Sequence, residues 1–220
     1  MKRTVFALLI MLSVIARGQA QDKIEGIGRL KIGRPTMDVI SELSQDYNGK
    51  IKEIEDDSFE GNGSAVYKLI YTTNAASPVQ ASACPSTEVY YVKQYAKSGL
   101  KLTDVYLYFY EGVLIRILGQ GSDELDKAVA AQYGSPTRSV TEEQSDCQQQ
   151  RDKTVTDTWK NGAIAARMIT CFDYATNCRL TRQHYFSIQL LSEEANAAEC
   201  DQASEDKQAN NKGKVVAEKR

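Results

Sequence analysis

The chain has a single histidine, His184, and this limits the acid–base chemistry that it can perform. A serine triad requires a histidine to take the proton of the nucleophile. The Gly-x-Ser-x-Gly motif that would expose such a serine does not occur in the sequence. His184 stands at the start of a predicted strand, where a lone histidine is usually a packed or surface residue. We therefore assign no catalytic residue from the sequence.

The five cysteines are the second source of chemistry, either as metal ligands or as disulfides. They are isolated along the chain, with no Cys-x-x-Cys pair and a single histidine to join them, so no metal site is predicted. In an oxidising compartment the most local pair, Cys171 with Cys178, would close a loop between two predicted strands. Other pairings, or two reduced thiols in that loop, stay open. The five are Cys84, Cys147, Cys171, Cys178 and Cys200.

A glycine-rich turn, Gly119-Gln120-Gly121, follows one predicted strand. Dinucleotide sites use such a turn to bring a helix N-terminus against the pyrophosphate. Here Glu124 stands where the third glycine of that motif would be, and Asp123 adds a second negative charge. The glycines therefore predict a tight connection from strand to helix, and no cofactor is predicted.

Tyrosines crowd two successive predicted strands and are the strongest functional signal in the sequence. Tyrosine is favoured where a surface is partly apolar and partly wet, as at protein interfaces. Three of them alternate along one strand, so Tyr106, Tyr108 and Tyr110 form the candidate binding face. Tyrosine is also a good strand former, and the alternative is that these side chains cover a sheet beneath the helices or the C-terminal tail.

Two helices are predicted to support these strands. In the first, apolar side chains between residues 39 and 47 recur at helical spacing after Pro35, which suits the first turn of a helix. The second lies between Ser122, which can cap its N-terminus, and Gly134, which can end it. The order is helix, strands, helix, strands, without a parallel crossover rhythm. We therefore predict an α+β fold with a mainly antiparallel sheet, two principal helices and two helix-then-strands halves, residues 21–118 and 119–191.

Two short turns set the expected strand register. Asn161-Gly162 is the strongest hairpin signal in the chain. If Glu111-Gly112 is also a two-residue turn, Tyr110 faces Val113 and the following pairs continue in step, with Tyr108 opposite residue 115. A bulge would shift this register and exchange the partners on each face.

The first twenty residues predict a cleavable export signal. Lys2 and Arg3 precede an apolar run of about a dozen residues, and small residues lead to a cut between Ala20 and Gln21. The run is shorter than the roughly 20 residues that a membrane-spanning helix needs, so no integral membrane anchor is predicted. The mature protein is expected to be soluble, in the periplasm or outside the cell.

The mature chain divides into a domain at residues 21–191 and a polar tail at residues 192–220. The tail has too few branched apolar residues to offset its ordering entropy, so we predict that it is disordered or loosely helical. Cys200 within it is the candidate for the odd thiol or for an intermolecular bridge. Cleavage after Ala20 removes three of the 27 basic residues and leaves 24 basic against 29 acidic ones. Because non-specific nucleic-acid binding needs a positive surface, no nucleic-acid partner is predicted.

Three segments carry a resemblance to known proteins: residues 82–92, residues 107–117 and Gln132-Tyr133-Gly134-Ser135-Pro136. They resemble a group of uncharacterised proteins exported by Gram-negative bacteria, over most of the chain before the tail. The resemblance implies compartment and fold, and it brings no catalytic residue. The Lys31-Ile32-Gly33 segment is similar to the superfold of beta-lactamase inhibitory proteins and a small outer-membrane assembly lipoprotein, although the lipid-attachment cysteine is absent here.

These observations predict a non-catalytic exported protein that binds another envelope or extracellular protein through its sheet face. The first alternative is a secreted hydrolase whose carboxylates converge only in the fold. The second is a secreted enzyme inhibitor. The adjacent pairs Asp56-Asp57 and Glu142-Glu143 are expected in loops as solvated charge and receive no role.

Overall fold

The computed structural model describes residues 23–55, 63–70, 82–97, 100–145, 147, 150–175 and 177–217. The predicted signal peptide and its cleavage site, Ala20 and Gln21, lie outside the described residues. The helices are α1 (Thr36–Gln45), α2 (Asp123–Tyr133) and α3 (Leu191–Ala217). The strands are β1 (Gly26–Ile27), β2 (Leu30–Lys31), β3 (Ile51–Glu55), β4 (Val66–Ile70), β5 (Thr87–Lys97), β6 (Leu100–Tyr110), β7 (Val113–Gln120), β8 (Thr137–Gln144), β9 (Arg151–Asn161), β10 (Ile164–Tyr174) and β11 (Leu180–Leu190).

Nine strands form one sheet in the order β3-β4-β5-β6-β7-β11-β10-β9-β8, and β1 pairs with β2 in a separate ribbon. All neighbours in the large sheet are antiparallel except β3 and β4. Helix α1 precedes β3 to β7 and α2 precedes β8 to β11, so each helix leads a contiguous part of the sheet. The predicted α+β fold with a mainly antiparallel sheet is confirmed, with three helices in the described chain where two principal ones were expected.

The sequence signals at the helix ends have clear structural counterparts. The Ser122 hydroxyl accepts a hydrogen bond from the backbone N–H of Leu125 at 3.2 Å, which confirms the predicted cap of α2. Gly134 ends that helix with a φ of 77°. Pro35 differs slightly from expectation, because it lies at the N-cap position of α1, with extended ψ of 143°, and not inside the first turn.

The turn between β6 and β7 has the predicted two residues. Glu111 and Gly112 both have positive φ, at 48° and 77°, and Tyr110 pairs with Val113. Two consecutive positive φ angles match the right-handed twist of the strands that the turn joins. Glu111 carries the less favourable conformation, since a left-handed backbone suits glycine or asparagine better than glutamate.

A bulge follows this turn and changes the predicted register. Phe109 pairs with Leu114, whereas Tyr108 pairs with Arg116, so Ile115 is the extra residue. The expected pairing of Tyr108 with Ile115 is wrong, and the bulged alternative describes the strand. The bulge allows two consecutive side chains, Leu114 and Ile115, to be almost fully buried, at 0% and 2% exposure.

The hairpin between β9 and β10 forms as predicted, but its centre lies one residue later. Asn161 still pairs within the ladder, opposite Ile164, so the two loop residues are Gly162 and Ala163. Gly162 has a φ of 59°, the conformation that a two-residue loop with glycine in first position requires.

The sheet is packed on both sides over its first half. Helices α1 and α2 lie on one side, here called the helix face, and α3 lies on the opposite side, the tail face. Fully buried side chains of the helix face include Leu107, Phe109, Ile117, Phe186 and Ile188. A second buried cluster contains Ala65, Tyr67, Leu69, Val89 and Tyr91, with Tyr106 and Tyr108 of the tail face packed against it.

The tail was expected to be disordered or loosely helical, and residues 191–217 form the helix α3. Side chains other than branched apolar ones attach this helix to the sheet. Cys200 is bonded to Cys84, and the Asp201 carboxylate accepts hydrogen bonds from the Ser82 hydroxyl and the Cys84 backbone N–H. Ala197 is buried at 6% exposure.

No helix in the described ranges is long and apolar enough to span a bilayer.

The predicted bridge between Cys171 and Cys178 is wrong, and Cys200 is not the odd thiol. The disulfides are Cys84–Cys200 and Cys147–Cys178, and Cys171 is the free cysteine. Strand β10 continues three residues beyond Cys171, which places it roughly 10 Å before the strand end. Cys178 lies in the loop after that strand and meets Cys147, which lies in the β8–β9 loop at the same end of the sheet.

Candidate functional site

The tyrosines of the candidate binding face lie on the tail face, but they are packed. The Tyr106 ring is half-buried and its centroid lies 5.0 Å from that of Tyr91, which in turn lies 6.2 Å from Tyr67. The Tyr91 hydroxyl donates to Asp104 at 2.7 Å. Burial and this carboxylate raise the pKa of Tyr91 above its ordinary value. Tyr106 therefore belongs to an aromatic cluster inside the domain.

Tyr108 lies beneath α3. The Arg116 guanidinium is 5.2 Å from the Tyr108 ring centroid, and it also forms a 3.3 Å ion pair with Glu194 of α3. Burial raises the pKa of Tyr108 to about 12; Arg116 opposes this shift, and the negative charges of Asp201 and Glu194 add to it. Tyr110 ends β6 and is half-buried. For Tyr108 the geometry favours the alternative in which the side chain covers the sheet beneath the tail.

His184 joins helix α2 to the sheet through both of its ring nitrogens. Its Nδ1 lies 2.7 Å from the Thr170 hydroxyl on the adjacent strand, and its Nε2 lies 2.8 Å from Asp126 Oδ1 on α2. The side chain is 10% exposed. A Cβ on Gly121 would overlap the imidazole ring, so glycine is required there by this close approach. The glycine turn thus makes room for the histidine.

Asp126, His184 and Thr170 are hydrogen-bonded in series, as in a carboxylate–imidazole–hydroxyl relay. Such a relay can activate a hydroxyl if the hydroxyl faces a substrate and an oxyanion site lies beside it. A cleft of about 440 Å³ opens near Gly121, but neither Thr170 nor His184 lines it. The arrangement therefore satisfies the polar atoms of a nearly buried histidine. The cleft is lined by Leu100, Lys101, Thr103, Gln120, Gly121, Ser122, Glu124 and Leu125.

The carboxylates do not converge at this cleft, where Glu124 is the one acidic lining residue. Within the described residues, His, Cys, Asp and Glu side chains form no group of three that could hold a metal ion. Glu142 and Glu143 lie in strand β8 rather than in a loop, on opposite faces of it. Asp56-Asp57 lies outside the described residues.

An array of hydroxyl side chains lies on the tail face of β8 and β9, two strands here called the wing. Three facing pairs make up this hydroxyl ladder. The β8 members are exposed and the β9 members are half-buried. Adjacent hydroxyl-bearing residues are separated by roughly 4.8 Å across the strands and 6.7 Å along them. The pairs are Thr137 with Thr158, Ser139 with Thr156, and Thr141 with Thr154.

A cleft of about 400 Å³ adjoins one end of the hydroxyl ladder. It combines four hydroxyl groups with one cation, the exposed side chain of Lys160. The wing is held at its other end by the Cys147–Cys178 disulfide. A ligand on the ladder would therefore meet strands that are already ordered. The cleft is lined by Ser135, Thr137, Ser139, Thr158, Trp159 and Lys160.

Sequence reasoning missed this surface because it missed β8. All eight residues of β8 are exposed, so the strand has no alternation of buried and polar side chains that a pattern could reveal. The available signal was the spacing of hydroxyl residues at 137, 139 and 141 and again at 154, 156 and 158, a period of two that places each set on one face of a strand.

Compared with known protein families, curated proteins and solved structures, the chain has no significant match.

Proposed function

We propose that this protein is an exported, non-catalytic binding protein whose ligand is a hydroxyl-rich polysaccharide of the envelope or the cell exterior. One observation carries the proposal: six Ser and Thr side chains stand in three facing pairs on the tail face of the wing, with the three on β8 exposed. A hydroxyl can donate one hydrogen bond and accept others, so a row of them matches a chain that presents many hydroxyls of its own. The Thr154 hydroxyl donates to Cys171 Sγ at 3.8 Å and offers a ligand its acceptor capacity.

The surroundings of the hydroxyl ladder support a sugar ligand over a protein ligand. Protein interfaces concentrate large aromatic and apolar side chains at their centre. Here the aromatic cluster around Tyr106 and Tyr108 is packed inside the domain, and the ladder has only small hydroxyl side chains. Lys160 in the adjoining cleft adds one positive charge, which suits an acidic sugar.

Export is part of the same proposal. The two disulfides would form and persist in an oxidising compartment and would be reduced in the cytosol. The apolar segment before Gln21 acts as the export signal. N-terminal sequencing of protein recovered from the periplasm or the medium tests this part, with Gln21 expected as the first residue.

Affinity electrophoresis tests the ligand class. Mature protein is run through gels that contain dextran, cellulose derivative or polyuronate, and its retardation is compared with that of Thr137→Val/Ser139→Ala. We expect retardation by at least one polysaccharide and its loss in the variant. No retardation by any of them, or equal retardation of the variant, would overturn the proposal.

Two matched variants separate the contributions within the site. Thr103→Val removes a strand hydroxyl far from the wing and should bind like the wild type. Lys160→Ala should weaken binding of polyuronate and leave binding of neutral glucans unchanged. If the protein instead binds a protein partner through the aromatic cluster, no polysaccharide will retard it. In that case Tyr106→Ala will weaken binding of the partner and Ser139→Ala will not.

The secreted hydrolase remains a second candidate because of the Asp126–His184–Thr170 relay. It requires Thr170 to become accessible to a substrate. An esterase and glycosidase screen of the wild type, Thr170→Val and His184→Gln tests it. Turnover that disappears in both variants would favour the hydrolase; turnover that survives either change would exclude this relay as its source.

A further inference from the structure

Strand β8 is an edge of the large sheet, and in the described part of the chain no strand pairs with its outer side. All eight of its residues are exposed. An edge strand presents unpaired backbone N–H and C=O groups, which can template pairing with another strand. Proteins usually prevent this with charges that repel an incoming strand, so the charge pattern of β8 decides what can add there.

On the helix face, the side chains of β8 alternate in sign around a central valine. Arg138 forms a bidentate ion pair with Asp157 of β9, at 2.6 and 2.7 Å. Glu142 lies opposite Lys153 in the β9 ladder. Between them Val140 is 50% exposed and lies opposite Val155. The edge therefore has a positive end, an apolar centre and a negative end.

This pattern is complementary to itself in the antiparallel direction. We propose that β8 pairs with β8 of a second copy of this chain, about a twofold axis at Val140. Each Arg138 then lies opposite Glu142 of the other copy. The valines of both wings meet in one row, Val155, Val140, Val140 and Val155. The result is a C2 dimer with one continuous sheet of eighteen strands, nine from each copy.

The register follows from the side chains. A slip of two residues in one direction places Val140 opposite Arg138, and in the other direction it places Val140 opposite Glu142. Both slips lose the unlike-charge pairs and the valine contact. In the proposed register each charged row on the helix face alternates in sign across four strands: Asp157, Arg138, Glu142 of the second copy and its Lys153.

The dimer also enlarges the surface on the tail face. Ser139 of one copy lies opposite Thr141 of the other, so the two hydroxyl ladders join into rows of four hydroxyl residues. The self-pairing does not depend on any ligand. It goes beyond the proposed polysaccharide binding, because it would let one long chain contact both copies with greater avidity.

Charge reversal tests the pairing directly. On the helix face of β8, Arg138→Glu leaves only negative charges and Glu142→Arg leaves only positive charges, whereas Glu143 lies on the tail face and is unchanged. Each variant alone should therefore be monomeric in sedimentation velocity. An equimolar mixture should restore the dimer, because the two glutamates on the edge of one copy then meet the two arginines on the edge of the other. We expect each single variant to weaken dimerisation at least about tenfold and the mixture to recover it. A monomeric wild type at high concentration, or a mixture that stays monomeric, would overturn the proposal.

Cysteine cross-linking tests the register in a Cys171→Ala background. Directly opposite residues of antiparallel strands have Cα atoms about 4.5–5.5 Å apart, within the span of a disulfide. Val140→Cys should therefore form a covalent dimer on mild oxidation. Ser139→Cys alone should not, whereas Ser139→Cys mixed with Thr141→Cys should cross-link. Equal cross-linking of Val140→Cys and Ser139→Cys would rule out the twofold axis at Val140.

The outcomes separate this inference from the proposed ligand. A monomer that is retarded by polysaccharide would keep the ligand and remove the dimer. A dimer that no polysaccharide retards would support the self-pairing and overturn the proposed ligand. Circular dichroism of each variant confirms that the wing is folded, which is expected because β8 side chains lie on the surface.

Discussion

Asp201 Oδ1 accepts a hydrogen bond from the backbone N–H of Cys84 at 2.8 Å, directly beside the disulfide that joins Cys84 to Cys200. The same oxygen accepts from the Ser82 hydroxyl at 2.6 Å. The bridge spans 116 residues and attaches α3 to the segment that leads into β5. Helix α3 is thus held over the tail face by covalent and charged contacts rather than by a broad apolar stripe.

Removal of this bridge should destabilise the whole domain. We expect Cys84→Ala/Cys200→Ala to lower the free energy of unfolding by about 2–4 kcal/mol, because the unfolded chain regains the entropy of a long loop. Urea denaturation of the oxidised proteins measures the difference. Cys171→Ala is the matched control and should have a small effect, since Cys171 is in neither bridge. A double variant as stable as the control would contradict this account.

The Asp201 carboxylate should contribute separately from the bridge. Asp201→Asn keeps the shape but loses the charge that strengthens both hydrogen bonds, so we expect a loss of about 1–2 kcal/mol. Amide hydrogen exchange should show faster opening in α3 than in β6. Glu205→Gln removes an exposed charge from the same helix and should leave amide exchange in α3 unchanged. If both variants accelerate exchange equally, the net charge of the helix would explain the effect and the Asp201 hydrogen bonds would not.

The His184 cluster should act as a structural connection between α2 and the sheet. Thr170→Val removes the hydroxyl that pairs with Nδ1 and keeps the side-chain shape, so a nearly buried nitrogen loses its partner. We expect a loss of about 1–2 kcal/mol in the free energy of unfolding. Thr156 lies on the neighbouring strand β9, on the opposite face of the sheet. Thr156→Val should therefore lower the free energy of unfolding by less than Thr170→Val does. Thermal and urea denaturation compare the two, and equal losses would argue against the cluster.

The turn after β6 offers a stabilising change. Glu111 has a φ of 48°, where asparagine is better tolerated, and Asn-Gly is the preferred sequence for such a turn. We expect Glu111→Asn to raise the free energy of unfolding by about 0.5–1 kcal/mol. Gly112→Ala, at a φ of 77°, should lower it. A destabilised Glu111→Asn protein would mean that the glutamate side chain has a favourable role that outweighs its backbone conformation.

Tyr108 predicts a specific loss of stability at alkaline pH. Its pKa in the folded protein is raised to about 12, whereas a tyrosine in the unfolded chain ionises at about pH 10. Its contribution is therefore complete below about pH 10 and is lost as the pH rises towards 12, by up to about 2 kcal/mol. Urea denaturation across this range should show a shallower decline for Tyr108→Phe. If the wild type and Tyr108→Phe lose stability in parallel, Tyr108 is not the source of the alkaline loss of stability.

Local signals in the sequence determined the parts of the fold that depend on neighbouring residues. Ser122 and Gly134 bound α2 because a cap and a left-handed glycine act within one helical turn. Glu111-Gly112 marks a real hairpin for the same reason, and Asn161-Gly162 marks the other to within one residue, since its loop is Gly162-Ala163. The mainly antiparallel α+β class followed from the order of these elements.

Contacts between distant segments decided the rest. The partner of Cys178 is Cys147 and that of Cys84 is Cys200, because strand lengths and sheet order bring those loops together. The composition of the polar tail left open whether it is disordered or loosely helical, and a disulfide and Asp201 attach it to the sheet as a helix. Strand β8 has no buried side to mark its period, so only its pairing with β9 reveals it. The hydroxyl ladder exists as a surface only through that pairing, because hydroxyl residues far apart in the sequence become neighbours across two strands.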